Sequence, residues 1–218
     1  MKKILKGKKT LIILGACIAI LGLTFGTVSI AQNYYKSSGS SEKEEYQMAE
    51  KEKERLKGRG TYNPKGHIKK EDLAEKAENV ADVFDMSVSE AEKQITKNSV
   101  EKKALYLAAE EAGITVSEQD VTDEIENIKE ALASDPEWKK KLNAQIAGME
   151  MDEEEYWNFL RPQYKSNMIV NKYLNKMYEE KCKEEKIDLY SEECMEKRKE
   201  WRDSITQDAI KKYNVKVE

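Results

Sequence analysis

From residue 67 onward, apolar side chains recur at three- and four-residue spacings between runs of Glu and Lys, and most runs carry a cap or a stop. Leu73, Ala77 and Val80 predict a short amphipathic helix, and Val83 to Val88 reads as a short strand. Ala104, Leu105, Leu107, Ala108 and Ala112 line a helix stopped at Gly113, a residue suited to the left-handed position after a helix end. Ser117 caps a helix bearing Val121, Ile125, Ile128 and Leu132. Asp135 and Pro136 supply a cap and a first-turn proline for Trp138, Leu142, Ile146 and Met149. Asp152 and Glu155 open the next helix as a capping box, with Tyr156, Trp157, Leu160 and Tyr164 inside it and Pro162 expected to kink or break it.

After Pro162 the pattern widens. Ile169, Tyr173 and Met177 form one stripe, and Val170, Leu174 and Tyr178 form a second beside it. Two adjacent stripes make a broad apolar face, expected to be central or to line a groove. A turn near Leu189 leads to a helix from Ser191 with Cys194, Trp201, Ile205 and Ala209 inward, and the alternation in 213–218 suggests a terminal strand. The fold class is therefore mainly all-α, with at most a short two-stranded β element.

Leu11 to Ala31 is uncharged and apolar, long enough as a helix to span roughly 30 Å, a bilayer core. Lys2, Lys3, Lys6, Lys8 and Lys9 precede it, so residues 1–10 read as a cytoplasmic basic tail and the remainder as extracytoplasmic. Ser29-Ile30-Ala31 also fits a signal-peptide cleavage site, and Leu14-Gly15-Ala16-Cys17 resembles a lipobox, so anchor, cleaved signal and lipidation stay open here. Residues 32–66 read as a linker or stalk, with a flexible Ser/Gly run at 36–43 and a Glu/Lys-rich stretch at 44–57 that fits a solvated helix or disordered chain. The domain is expected over 67–218.

Charge sharpens this picture. The overall charge of −4 splits into +5 over residues 1–31 and −9 beyond them. An outer domain this acidic, without a basic patch, excludes nucleic acid as the expected partner. The chain has one histidine, His67, and no phosphate-cradling glycine loop, so no nucleophilic, metal or cofactor constellation can be assembled. Glu153, Glu154, Glu155, Glu192 and Glu193 sit at helix starts, where carboxylates suit the helix dipole. Cys182 and Cys194 flank the Leu189 turn; a disulfide and two free thiols both fit that placement.

The order of these signals resembles the N-terminal domain of SurA- and PrsA-type chaperones, a module related to part of trigger factor. Three stretches carry the resemblance: Ala104 to Val121, with its glycine stop and Ile-Thr-Val-Ser turn; Gly148 to Tyr156 running into Met168 to Leu174; and Trp201 to Val217. Too few residues follow Met177 to hold the parvulin isomerase domain of larger relatives. What the resemblance implies is a non-enzymatic, cofactor-free chaperone-like protein that binds unfolded or exported polypeptides. The expected binding face comprises Trp157, Leu160, Tyr164, Met168, Ile169, Tyr173, Met177 and Trp201. An interaction subunit of a membrane-associated complex is the alternative, and neither reading fixes an oligomeric state.

Overall fold

The computed structural model describes residues 41–57, 62–84 and 86–218, with Val83 and Phe84 as backbone only. The expected anchor or signal at 11–31 lies outside the described residues. The described residues form seven helices: α1 (Glu42–Leu56), α2 (Lys70–Phe84), α3 (Val88–Glu111), α4 (Glu118–Ala133), α5 (Pro136–Met149), α6 (Glu153–Glu185) and α7 (Glu192–Tyr213). Among them, no helix is long and apolar enough to cross a membrane.

Local rules set most of the boundaries. Ser117, Asp152 and Ser191 accept from the backbone N–H three residues on, and Asp135 accepts from Glu137 and Trp138 ahead of the α5 helix. Gly113 takes φ 68°, and Ile114 N–H donates to Ala109 O across the α3 terminus at 2.9 Å. That close turn sends the chain back as α4.

Three apolar clusters hold the helices together. The first joins α3, α4, α5 and α6 around Ile125, Tyr156, Trp157 and Leu160, with Ala49 of α1 at its edge. A second joins α3, α6 and α7 through Leu105, Leu174, Trp201 and Ile205. Met48 of α1, Leu73 and Val80 of α2, and Ile95 of α3 form the third. Helices α3 and α6 thus run through the middle, each feeding more than one cluster.

Several expectations are corrected. The stretch 44–57 is not a solvated stalk: α1 packs lengthwise on α5, so the folded domain includes residues well before 67. Its buried positions are Glu45, Met48, Ala49 and Glu52, a helical stripe whose two ends are carboxylates. Gln145 Nε2 donates to Glu45 Oε2 at 2.6 Å, and Tyr156 O–H donates to Gln145 Oε1 at 2.7 Å, pinning α1, α5 and α6 in register. Gly148 permits the close approach: a Cβ there would meet the Tyr46 carbonyl and lie 2.8 Å from Ala49 Cβ.

Pro162 does not end its helix, since α6 continues for 33 residues. An interior proline costs a helix about 3 kcal/mol. Leu160, Gln163, Tyr164 and Ile169 are buried on either side of it, and that packing outweighs the local loss. The expected strand at 83–88 is divided between the end of α2 and the start of α3, which Ser87 caps. The terminal strand reduces to one parallel bridge between Ile68 and Val217, with Glu218 N–H donating to Ile68 O at 2.8 Å.

Candidate functional site

The residues expected to face a client lie mostly inside the molecule. Trp157, Leu160, Tyr164 and Ile169 belong to the first cluster and Trp201 to the second, all buried. Met168, Tyr173 and Met177 are half-buried against the same clusters. Even the indole N–H groups are provided for: Trp157 Nε1 donates to Glu153 Oε1 at 3.3 Å and Trp201 Nε1 to Glu185 Oε1 at 3.0 Å. The wide face after Pro162 is wide because α6 serves two clusters at once. It is a closed core.

The two expected cysteine partners are brought together. Cys182 of α6 and Cys194 of α7 are both buried with Sγ atoms 2.8 Å apart. Burial pushes the Cys182 thiol up to about 11, and the Cys194 thiol beside it adds to the rise. A thiol so raised as that of Cys182 is a poor nucleophile at neutral pH.

Openings in the surface lie elsewhere. A groove between α1 and α2, of about 670 Å³, is lined wholly by polar and charged side chains such as Glu50, Lys53, Glu75 and Glu150. Lys51 pairs with Asp82 at 2.6 Å and Lys53 with Glu150, so this groove is a solvated, ion-paired seam.

The second opening differs in kind. A cavity of about 240 Å³ lies among α1, α2, α3 and α6 and the segment before α2. Leu56, Ile68, Leu73 and Phe159 give it an apolar wall, and Lys76, Asn98, Lys102 and Gln163 give it a polar one. Among the described residues its charged lining is lopsided: Arg55, Lys69, Lys76, Lys102 and Lys103 against Glu52 and Asp72, with His67 also present. Arg55 already binds both oxygens of Glu52, at 2.7 and 2.5 Å.

Lys76 and Lys102 have no carboxylate within ion-pair distance among the described residues. Lys102 Nζ instead stands 5.0 Å from the centre of the Tyr62 ring, and the Tyr62 hydroxyl is 3.5 Å from Ser166 Oγ. Burial pushes the Lys102 ammonium down to about 7, helped by the charge on Lys76. Burial likewise lowers Lys76 to about 8, with Glu52 and Asp72 resisting and Arg55 reinforcing the fall. Two further polar atoms on residues lining the cavity, Asn98 Nδ2 and Gln163 Oε1, are buried without a hydrogen-bond partner among the described residues.

None of this cavity was among the expected site residues, yet α3 carries a signal for it. Ile95, Lys102 and Ala109 repeat at seven-residue spacing, which places Lys102 on the inward face between two fully buried apolar residues. A lysine in that register is rare unless something balances it.

No family model, no curated protein and no solved structure matches this chain. The cavity's own geometry therefore carries the functional reading.

Proposed function

We propose that the chain is a membrane-tethered, extracytoplasmic binding protein of SurA-like build, which holds a partner polypeptide and performs no covalent chemistry. The supporting observation is the contrast between a sealed aromatic core and one partly apolar cavity with unbalanced basic side chains. A general holdase needs an extended, adaptable apolar surface. The large apolar side chains exposed among the described residues are Tyr46 of α1, Val88 of α3, and Tyr190 and Met195 near the α6–α7 turn, too few for such a surface. A small, chemically marked cavity suits one defined partner better than many unfolded clients. This favours the interaction subunit over the broad chaperone.

Purification of the full chain from membranes in mild detergent tests the reading. One polypeptide retained in stoichiometric amount is the expected result. Many unrelated polypeptides at low occupancy would restore the general chaperone, and retention of no polypeptide at all would overturn the proposal.

A further inference from the structure

If the chain does hold one partner polypeptide, the lining of the cavity points to the part of that partner that enters it. Lys76 and Lys102, both half-buried, line one half-open cavity and have no ion-pair partner among the described residues, in a chain whose residues beyond 31 carry −9 overall. An anion bound by both would offset their mutual repulsion and repay part of their lost hydration. Asn98 Nδ2 supplies a third donor on a residue of the same wall, and Leu56, Leu73 and Phe159 provide contact for an apolar body. Gln163 Oε1 is different: it is an acceptor, and it needs an N–H from the occupant. A carboxylate, an apolar body and an adjacent N–H together describe the last residue of a polypeptide.

Size agrees with this. An apolar cavity of roughly 150 Å³ accepts benzene. About 240 Å³ therefore takes one branched or aromatic side chain with its terminal carboxylate, leaving the rest of the partner outside. We propose that this cavity captures the C-terminal carboxylate of a partner polypeptide ending in an apolar residue, with Lys76 and Lys102 on the carboxylate and Gln163 on the last peptide N–H.

Calorimetric titration of the full chain in detergent micelles tests the assignment with three probes: acetyl-Gly-Ala-Leu with a free carboxylate, its C-terminal amide, and 4-methylpentanoate. The free peptide should bind at least ten-fold more tightly than the amide. It should also bind several-fold more tightly than 4-methylpentanoate, which keeps the branched body and carboxylate but lacks the N–H. Lys76→Met and Lys102→Met should each weaken the free peptide ten-fold or more, Lys102→Arg should restore part of the loss, and exposed Lys93→Met should change nothing. Thermal melts of each variant identify any that fail to fold, and Lys102→Arg, which keeps the charge, then carries the comparison.

Equal binding of acid and amide, or no binding of the free peptide, would overturn the carboxylate site. Equal binding of 4-methylpentanoate would overturn the chain-terminus assignment. A partner that still co-purifies while acid and amide bind alike would refute the cavity and leave the proposed function standing. Probe binding with no co-purifying polypeptide would do the reverse.

Discussion

The apolar face of α6 and the cavity bounded by α1, α2 and α3 offer opposite kinds of surface. The first is rich in Trp, Tyr and Leu, and every one of its aromatic N–H groups has an acceptor. The second carries two half-buried lysines without an ion pair, and two buried amide atoms without a hydrogen bond, among the described residues. Apolar breadth along a helix therefore reports how many neighbours the helix serves. Unmatched polarity inside a fold is the better pointer to a missing ligand, because a finished core has no reason to keep it.

The largest expected effect belongs to the sealed side. Leu160 is fully buried at the centre of the first cluster, so Leu160→Ala should cost about 2–5 kcal/mol of unfolding free energy. Denaturant melts measure it directly. A loss below about 1 kcal/mol would mean that the face tolerates water, and the comparison between the two regions would collapse.

Next comes the sulfur pair at the α6–α7 hairpin. Sulfur atoms 2.8 Å apart are beyond the disulfide bond length of about 2.05 Å but need only a small shift to reach it. Oxidation by an external disulfide would join Cys182 to Cys194 and release two thiols from the oxidant. Closing so short a loop is expected to stabilise the domain by about 2–3 kcal/mol. Melting the chain after treatment with oxidised or reduced dithiothreitol checks this, with Cys194→Ser as the variant that should lose the difference. Equal melting temperatures for the two forms of the native chain would show that the hairpin already holds this geometry without the bond.

A smaller effect, of opposite sign, marks the cavity. Lys102 and Lys76 ionise near 7 and near 8 when folded, against an ordinary value of 10.5. Between those limits the unfolded chain binds protons that the folded chain does not, so stability rises with pH from about 7 upward. Below about 7 both groups are charged in either state and the penalty is fully present. Lys102→Met removes one charge and relieves Lys76. It should raise stability at pH 7 by on the order of 1 kcal/mol and flatten the rise between pH 7 and pH 9. Addition of the C-terminal acid peptide should flatten the same slope in the native chain by holding both lysines protonated. A slope unchanged by both treatments would assign the pH dependence to other groups around the cavity.

How far the fold could be read in advance depended on where polar residues fell. Gly113, Ser117, Asp135, Asp152 and Ser191 act through backbone hydrogen bonds within a few residues, and local chemistry of that kind is visible in a one-dimensional string. The packing of helix α1 was hidden because Glu45 and Glu52 occupy buried positions where the pattern calls for apolar ones; Glu52 pairs with Arg55 one turn along the same helix, but Glu45 is satisfied by Gln145, a hundred residues on. Pro162 misled for the same reason: a local penalty was outweighed by packing from distant segments. The cavity was hidden more deeply still. Lys76 and Lys102 come from different helices and mean little apart; their significance is that they share a space.

The smallest expected effect guards against reading exposure as function. Tyr190, 86% exposed at the α6–α7 turn, and Met195, 64% exposed, are the most solvated large apolar side chains described. Were binding a matter of bare apolar surface, they would be the first candidates. Yet what Tyr190 contributes to the turn is its backbone N–H, which donates to Asp188 Oδ1 at 2.8 Å and would do so with any side chain present. Tyr190→Ser should therefore move the stability by less than about 0.5 kcal/mol and leave binding of the acid peptide unchanged. A substantial loss of co-purifying partner in that variant would shift the interaction surface to the hairpin tip. It would also reverse the lesson drawn from the cavity, since a single ring 86% exposed would then matter more than two lysines lining a half-open cavity.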